Sequence, residues 1–200
     1  MSSSVEPPAR ALEQRTYDEW PSALRALFDG AVLASKAGFT ASLITCDAGG
    51  HLRTSLLGAG ELYAPDSRSI AFALWPSSRA ARTLTGLAGD AFAHRPEPGS
   101  PARRRARAAL TFVYEGAFHQ VQLAVEPISG EAGATAGGLA LFVASIEVGE
   151  AQQVGYARLT SGIAFALSGD EPERQAVLAR WERQIDALRE AANRRSPSGG

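Results

Sequence analysis

The sequence predicts a mainly β protein, a small antiparallel barrel with helices packed against its outside. Three observations predict this fold. Short segments in which apolar and polar residues alternate follow one another through most of the 200 residues. Turn sequences such as Asp47–Gly50 separate several of these segments, as expected of hairpins. Few stretches have helical periodicity and no internal repeat is present, so strands must supply most of the core.

The first part of the chain predicts a helix followed by a hairpin. Residues 1–10 are rich in serine and proline, and we expect them to form a disordered tail. Between Tyr17 and Ala34 apolar residues recur at three- and four-residue spacing, which predicts an amphipathic helix. Strands are expected at Phe39–Cys46 and His51–Leu57, joined by the glycine turn. The apolar residues of the predicted helix are Trp20, Leu24, Leu27, Phe28 and Val32.

The next strands carry two unusual features. Gly58–Gly60 suggests a bulge or a place where another group approaches the backbone closely, before the sheet continues at Glu61–Ala64. In Ser69–Trp75 one face is bulky, and the opposite face presents only Ala71 and Ala73. A flat ring can lie against so bare a face. The bulky face consists of Ile70, Phe72 and Leu74.

A short helix and a second hairpin are predicted next. Pro76 and two serines predict a helix start, and the helix is expected to run over Ser77–Leu84. Residues 88–107 are rich in glycine, proline and arginine and are expected to form an inserted loop. Ala109–Tyr114 and Ala117–Pro127 then predict a hairpin around a glutamate–glycine turn.

Two further strands and a terminal helix complete the prediction. The strands are expected at Leu139–Val148 and Tyr156–Leu167. Asp170–Glu173 combines a capping residue, an early proline and a glutamate three positions on, which predicts a helix start. The domain organisation is then a tail at 1–10, a barrel domain at 11–168, a helix at 169–195 packed on the barrel, and a tail at 196–200. The helix has an apolar stripe of Val177, Leu178, Trp181, Ile185 and Leu188.

Composition excludes several classes of function. The formal net charge is -1 and the pI is about 6.3, which gives no global electrostatic basis for binding nucleic acid or an anionic membrane. The lone Cys46 cannot form an intramolecular disulfide, and no apolar run is long enough to span a bilayer. We therefore expect a cytoplasmic protein that binds neither nucleic acid nor membrane.

The sequence contains no motif of a metal site or of a catalytic nucleophile. His51, His94 and His119 are far apart and none has metal-ligand spacing with Cys46, so no metal site is predicted. No Gly-x-Ser-x-Gly elbow and no dinucleotide-binding glycine motif is present. We assign no catalytic side chain.

The start of the short helix predicts an anion site. Ser77 and Ser78 are followed by Arg79 and Arg82, which share one helix face, and Arg53 is expected on a neighbouring strand. A helix N-terminus offers unpaired N–H donors and a partial positive charge, and arginine adds forked donors that fit phosphate oxygens. These residues predict a phosphorylated ligand. The alternative is a surface helix with solvated arginines.

Three other features have both a functional and a structural interpretation. Thr54 and Ser55 can bind the polar edge of a heterocycle, or they are ordinary strand residues. Trp75 can cover a bound ring, or it packs in the core or an interface. The run Arg103–Arg107 can dock RNA, a nucleotide tail or an acidic partner, or it is solvated.

Taken together, Thr40–Leu84 resembles the front half of the FMN-binding split-barrel family, which includes the pyridoxamine 5'-phosphate oxidases and many flavin reductases. The resembling features are the hairpin with its glycine turn, Arg53–Leu57 on the second strand, and Ala73–Arg79 leading into a helix. The resemblance implies a six-stranded antiparallel split β-barrel that binds FMN. It implies the ligand set Arg53, Thr54, Ser55, Leu74, Trp75, Ser78 and Arg79, to which the helix start adds Ser77 and Arg82.

The resemblance also implies a function and an assembly. We expect a homodimer with flavin at the subunit interface, and an FMN-dependent oxidoreductase that passes hydride or electrons between a nicotinamide donor or another small molecule and an acceptor. Ala80 stands where the oxidases usually have lysine, and their arginine-rich C-terminal segment has no counterpart. We therefore do not expect oxidation of pyridoxamine phosphate itself.

Three alternatives stay open at the level of sequence. The first is a flavin-binding or sensing module without turnover. The second keeps the barrel but binds a deazaflavin or haem. The third is an interaction protein that uses its C-terminal helix and Arg103–Arg107 on a partner.

Overall fold

A curled antiparallel sheet with flanking α-helices forms the structure. The computed structural model describes residues 12–87, 105–128 and 138–195. The helices are α1 (Ser22–Leu27), α2 (Arg79–Leu87) and α3 (Glu171–Arg195). The strands are β1 (Leu12–Tyr17), β2 (Thr40–Cys46), β3 (Leu52–Gly58), β4 (Leu62–Tyr63), β5 (Ser69–Leu74), β6 (Ala106–Tyr114), β7 (Ala117–Pro127) and β8 (Ala140–Val154).

The strand order explains why the sheet curls. The order is β3-β2-β6-β7-β8-β5-β4, and β1 pairs with β8. The edge strands β3 and β4 are joined by one 3-10 turn, Ala59–Glu61, so the two edges of the sheet lie close together without pairing. The described residues thus form an open barrel of mainly antiparallel strands. It has eight strands, not the six that were predicted.

The longest strand, β8, organises one side of the barrel. Its first half pairs with β5, from Ala140 opposite Leu74 to Ser145 opposite Ser69. Its second half pairs with β1, which the sequence analysis did not predict. Both halves pair with β7 along the other edge. The strand therefore connects the two ends of the barrel.

The predicted alternation of the first hairpin is confirmed. Ala41 and Leu43 of β2 and Leu57 of β3 are buried in the barrel core. The predicted bulky face of β5 also lies in this core. The core is completed by aromatic rings, with Phe72 stacked on Phe142 at 5.3 Å between ring centroids.

Two predicted elements are wrong, the first in its extent and the second in its kind. The first helix covers only Ser22–Leu27, because Gly30 and Val32 adopt positive φ angles that end it, and Val32 is 72% exposed. Tyr156–Leu167 is not a strand. Beside β8 the pairing positions are already taken by β1, β5 and β7, so this segment crosses the surface unpaired.

The inserted loop is also shorter at its C-terminal end than predicted. Arg107 belongs to β6, which begins at Ala106. Residues 88–104 lie outside the described part of the chain, as do the two tails at 1–10 and 196–200.

Helix α3 begins as predicted and packs on the sheet. Asp170 accepts a hydrogen bond from the Glu173 amide, and the Glu173 carboxylate accepts one from the Asp170 amide, each at 3.0 Å. This reciprocal capping box fixes the helix start. The predicted apolar stripe faces the sheet, with Trp181, Ile185 and Leu188 buried.

The helix covers the face that was predicted to accept a ring. Ala71 and Ala73 have no exposed surface and pack in the same cluster as Ile185, Leu188 and Ala191 of α3. Their small side chains let the helix approach the sheet closely, which the alternating pattern alone cannot distinguish from room for a ligand. The prediction that a flat ring lies on this face is therefore wrong.

Candidate functional site

The predicted anion site lies where β5 ends and α2 begins. We call residues 75–82 the α2 corner. The Ser78 amide donates to the Trp75 carbonyl at 2.9 Å, which closes the turn around Pro76. The Ser78 hydroxyl then accepts a hydrogen bond from the Ala81 amide at 3.1 Å, as an N-cap serine does. Local sequence thus fixes the direction in which the helix starts.

The arginines of the α2 corner surround this helix start. Arg79 and Arg82 are exposed, whereas Ala80, Ala81 and Leu84 on the other side of the helix are buried in the barrel core. Arg82 Nη1 donates to the Ser77 carbonyl oxygen at 2.5 Å. This bond folds the guanidinium back over the first turn. The positive charge therefore lies at the end of the helix that already favours anions.

Arg53 has a partner in the hairpin turn. Its Nε donates to Asp47 Oδ2 at 3.2 Å, and the turn amides of Gly49 and His51 donate to Asp47 Oδ1 at 2.9 Å. The backbone hydrogen bond from His51, followed by those from Arg53 and Gly49, lowers the pKa of Asp47 to about 2. Asp47 is thus ionised at neutral pH and offsets the charge of Arg53.

The neighbouring residues of β3 point to opposite faces of the sheet. Ser55 is paired with the buried Leu43 and is half-buried, so it lies on the barrel side. Thr54 is exposed and faces outward with Leu52 and Leu56. Helix α2 packs against β3 and β2. The structure therefore places β3 beside helix α2, with the polar residues of β3 divided between two faces.

Leu74 and Trp75 have very different environments. The Leu74 side chain is buried in the barrel core, so only its backbone can contact a ligand. Trp75 is 55% exposed although it directly follows β5 and the buried Leu74. An exposed tryptophan is unusual because most of its surface is apolar. It is the one large aromatic side chain of the α2 corner that can contact a ring.

The arginine run is largely neutralised where it is described. Arg105 Nε lies 2.5 Å from Glu126 Oε1, and Arg107 Nη2 lies 3.2 Å from Glu147 Oε1. These carboxylates belong to β7 and β8, and because β7 lies between β6 and β8 in the sheet, the ion pair of Arg107 spans β7. The remaining arginines of the run lie outside the described residues. The described part gives no free basic patch for RNA or an acidic partner.

One polar pair was missed by the sequence analysis. The Tyr17 hydroxyl lies 3.3 Å from His119 Nδ1, although the two residues are 102 positions apart. His119 is 7% exposed and its ring stacks on Phe112 at 4.9 Å. Histidine in an alternating strand gives no signal of burial, and β1 has too little apolar alternation to be recognised.

Among residues 12–87, 105–128 and 138–195, no group of three or more potential metal ligands is found. No helix in the described part of the chain is both long and apolar enough to cross a membrane.

Comparisons with known proteins identify similar structures only. No model of a protein family matches the chain, and no curated protein matches it. A candidate pyridoxamine 5'-phosphate oxidase from Lactobacillus delbrueckii shares 12% identity, with a TM-score of 0.45 over 66% of this chain and 94% of that one. The flavin reductase of styrene monooxygenase from Pseudomonas putida S12 shares 14% identity, with a TM-score of 0.33 over 68% of this chain and 97% of that one.

A third similar structure is a protein of the pyridoxinephosphate oxidase family from Clostridium acetobutylicum. It shares 12% identity, with a TM-score of 0.35 over 70% of this chain and 94% of that one. Two of these three structures carry the name of the pyridoxamine or pyridoxine phosphate oxidases, and the third carries that of a flavin reductase.

Proposed function

We propose that this protein is an FMN-dependent oxidoreductase that holds the FMN phosphate at the α2 corner. The observation that carries the proposal is the hydrogen bond from Arg82 to the Ser77 carbonyl, which holds a guanidinium over the start of α2. Arg79 adds a second exposed guanidinium on the same helix turn. The site is small and cationic, and it lies on the surface of the barrel.

The chemistry of a phosphate monoester suits these groups. A phosphate monoester is close to doubly ionised at neutral pH, and each arginine offers planar N–H donors to its oxygens. The amides of Arg79 and Ala80, the first two of α2, have no carbonyl partner within the helix and can donate to the anion. Ser78 can donate its hydroxyl hydrogen outward while its oxygen accepts from Ala81. Together these groups replace the water that a bound phosphate loses.

The ring system belongs outside the barrel, beside Trp75 and β3. The Ala71 and Ala73 face is occupied by α3, which leaves the exposed Trp75 ring of the α2 corner and the outward Thr54 of β3 as candidate contacts for the ring. These residues cover only part of a tricyclic ring. A second subunit that packs on β3 would complete the site, so we propose a homodimer with the flavin between the subunits.

The residues of the chain would bind and orient the cofactor. When bound, FMN supplies hydride or electron transfer between a small-molecule substrate or nicotinamide donor and an acceptor. Arg79, Arg82 and Ser78 fix one end of the molecule, and Trp75 limits the exposure of the ring to water. No side chain of the α2 corner is needed as an acid or a base.

Titration with FMN tests the proposal directly. Replacing Arg79→Ala together with Arg82→Ala removes two charge-assisted contacts, each worth about 1.5 kcal/mol or more, so affinity for FMN should fall about 100-fold. Quenching of flavin fluorescence measures this. Arg183→Ala removes an exposed arginine from α3 and serves as the matched control, with affinity unchanged.

Two outcomes would contradict the proposal. One is a wild-type protein that takes up no FMN at micromolar concentration. The other is a double variant that binds FMN as tightly as the Arg183→Ala control. Oxidation of a nicotinamide donor by the loaded protein then separates an oxidoreductase from a binding module, which would show none.

A further inference from the structure

The end of the barrel opposite the α2 corner contains a cavity that the proposed function does not use. It has a volume of about 360 Å³, and its lining includes Tyr17, Leu24, Tyr114, Ala117, His119 and Gln153. We call it the barrel-end cavity. It is at the lower end of the size range of small-molecule sites, which suits a compact ligand.

The cavity is remote from the α2 corner along the sheet. Strand β5, which leads into the corner, ends at Leu74 opposite Ala140 at the start of β8. The cavity is lined by Ala151 and Gln153 near the other end of β8. At about 3.3 Å per residue, the strand between Ala140 and Ala151 spans roughly 35 Å. No residue that lines the cavity belongs to the α2 corner.

Hydrogen bonding fixes the polar atoms on the floor of the cavity. The His119 ring is hydrogen-bonded to the Tyr114 backbone and lies 3.3 Å from the Tyr17 hydroxyl. In the neutral tautomer that carries its hydrogen on Nε2, Nδ1 accepts from the Tyr17 hydroxyl. The Tyr17 hydroxyl oxygen still has a lone pair to accept from a ligand.

Burial keeps both groups neutral. It raises the pKa of Tyr17, and it lowers the pKa of His119 more than the Tyr114 hydrogen bond raises it. The floor therefore carries no charge and favours a neutral ligand. The charged residues that line the cavity, Glu13, Arg15 and Glu115, include both signs, and Glu13 and Arg15 form an exposed pair at 3.8 Å.

The walls favour a flat apolar molecule. Pro21, Ala23 and Leu24 contribute apolar surface from the region of α1, and Tyr114 contributes a ring. Aromatic walls bind aromatic rings through stacked or edge contacts. We infer that the barrel-end cavity binds a small neutral aromatic molecule whose single hydroxyl or ring N–H donates to the Tyr17 hydroxyl oxygen.

Phenol and toluene are matched probes for this site. They have nearly the same shape, and only phenol can donate a hydrogen bond. The full chain with labelled histidine is titrated with each probe, and the His119 ring resonances are followed by NMR. Both probes should shift His119, and phenol should bind about fivefold more tightly, as expected for one neutral hydrogen bond.

Three variants locate the site. Tyr17→Phe should remove the preference for phenol over toluene. Ala23→Trp fills the cavity from the half-buried face of α1 and should lower the affinity for both probes at least tenfold. Ala26→Trp is the control, because Ala26 is exposed on the same helix and does not line the cavity. It should bind both probes as the wild type does.

The inference is overturned if neither probe moves the His119 resonances, or if Ala23→Trp binds them as well as Ala26→Trp does. If Tyr17→Phe fails to fold, the tryptophan pair still decides the question. FMN uptake is measured on the same samples and should be equal in both tryptophan variants. A wild type that does not bind FMN would thus contradict the proposed function and leave the inference about the barrel-end cavity unaffected.

Discussion

At the scale of single residues, close packing decides where side chains are tolerated. Gly60 lies against Trp181 of α3, and a Cβ atom there would overlap the Cβ and Cγ atoms of the tryptophan. This is the close approach that the Gly58–Gly60 sequence predicted. At Gly86 in α2, a Cβ atom would have no neighbour within 4 Å beyond its own helix turn, so the same substitution meets open space.

These two glycines give a matched prediction. Gly60→Ala should lower the free energy of unfolding by about 1–3 kcal/mol, because Trp181 must shift within a packed core. Gly86→Ala should raise the free energy of unfolding by about 0.5–1 kcal/mol. Alanine has less conformational freedom than glycine in the unfolded chain, so it loses less entropy when the helix forms. Urea unfolding of both variants measures the difference. Equal stability of the two variants would contradict the packing of α3 on the 3-10 turn.

The buried His119 makes stability depend on pH. Burial lowers its pKa below the value near 6.5 that it has in the unfolded chain. The unfolded state therefore takes up a proton first as the pH falls, and stability is lost below about pH 6.5.

The variant His119→Phe should lack this loss. Between about pH 7.5 and 5.5 the wild type should lose more unfolding free energy than the variant, by no more than about 1.4 kcal/mol, the limit for one proton over one pH unit. Urea unfolding at the two pH values measures it. All other titrating groups are common to both proteins. Equal losses of unfolding free energy in the two proteins would therefore show that His119 is protonated as readily in the folded state as in the unfolded state.

At the scale of elements, local signals and long-range packing differ in how well the sequence reveals them. The hairpin of β2 and β3 and the start of α3 were predicted because alternation, turn and cap lie within a few residues. Strand β1 was missed because its pairing with β8 spans more than 130 positions. The alternating pattern of β5 identified a bare face but not the helix that covers it. Of the candidate site, the α2 corner was recognisable because it depends on neighbouring residues.

The two adjacent serines at the start of α2 have different roles. Ser78→Ala removes the hydroxyl that accepts from the Ala81 amide and should cost about 1 kcal/mol of unfolding free energy. Ser77→Ala should cost close to nothing, since the Ser77 group that binds Arg82 is its backbone carbonyl, which alanine retains. Thermal or urea unfolding without FMN compares the two. A larger loss for Ser77→Ala would contradict this assignment of the cap.

At the scale of the whole molecule, the outward face of β3 is unusually apolar. Leu52 is 74% exposed and Leu56 is 54% exposed, on either side of Thr54. The pairing register continues this face across the sheet from Ile44 through Ala109 and the polar Gln122 to Val148 of β8, which is 43% exposed. Large exposed apolar surfaces on a sheet indicate a contact with another protein. We propose a second copy of the chain as the occupant, because the proposed flavin site also needs one.

The variant Leu52→Glu tests this assembly. A two-fold interface repeats each substitution, so two leucines lose their burial, at about 2 kcal/mol each, and dimer affinity should fall about 1,000-fold. Val32→Glu places the same charge at another exposed apolar residue, at the end of the α1 region, and should leave the dimer intact. Sedimentation over a range of concentrations measures both.

Because the second subunit would complete the flavin site, Leu52→Glu should also bind FMN more weakly than Val32→Glu. A wild type that sediments as a monomer throughout, or a Leu52→Glu variant that dimerises as the wild type does, would show that β3 is not the interface.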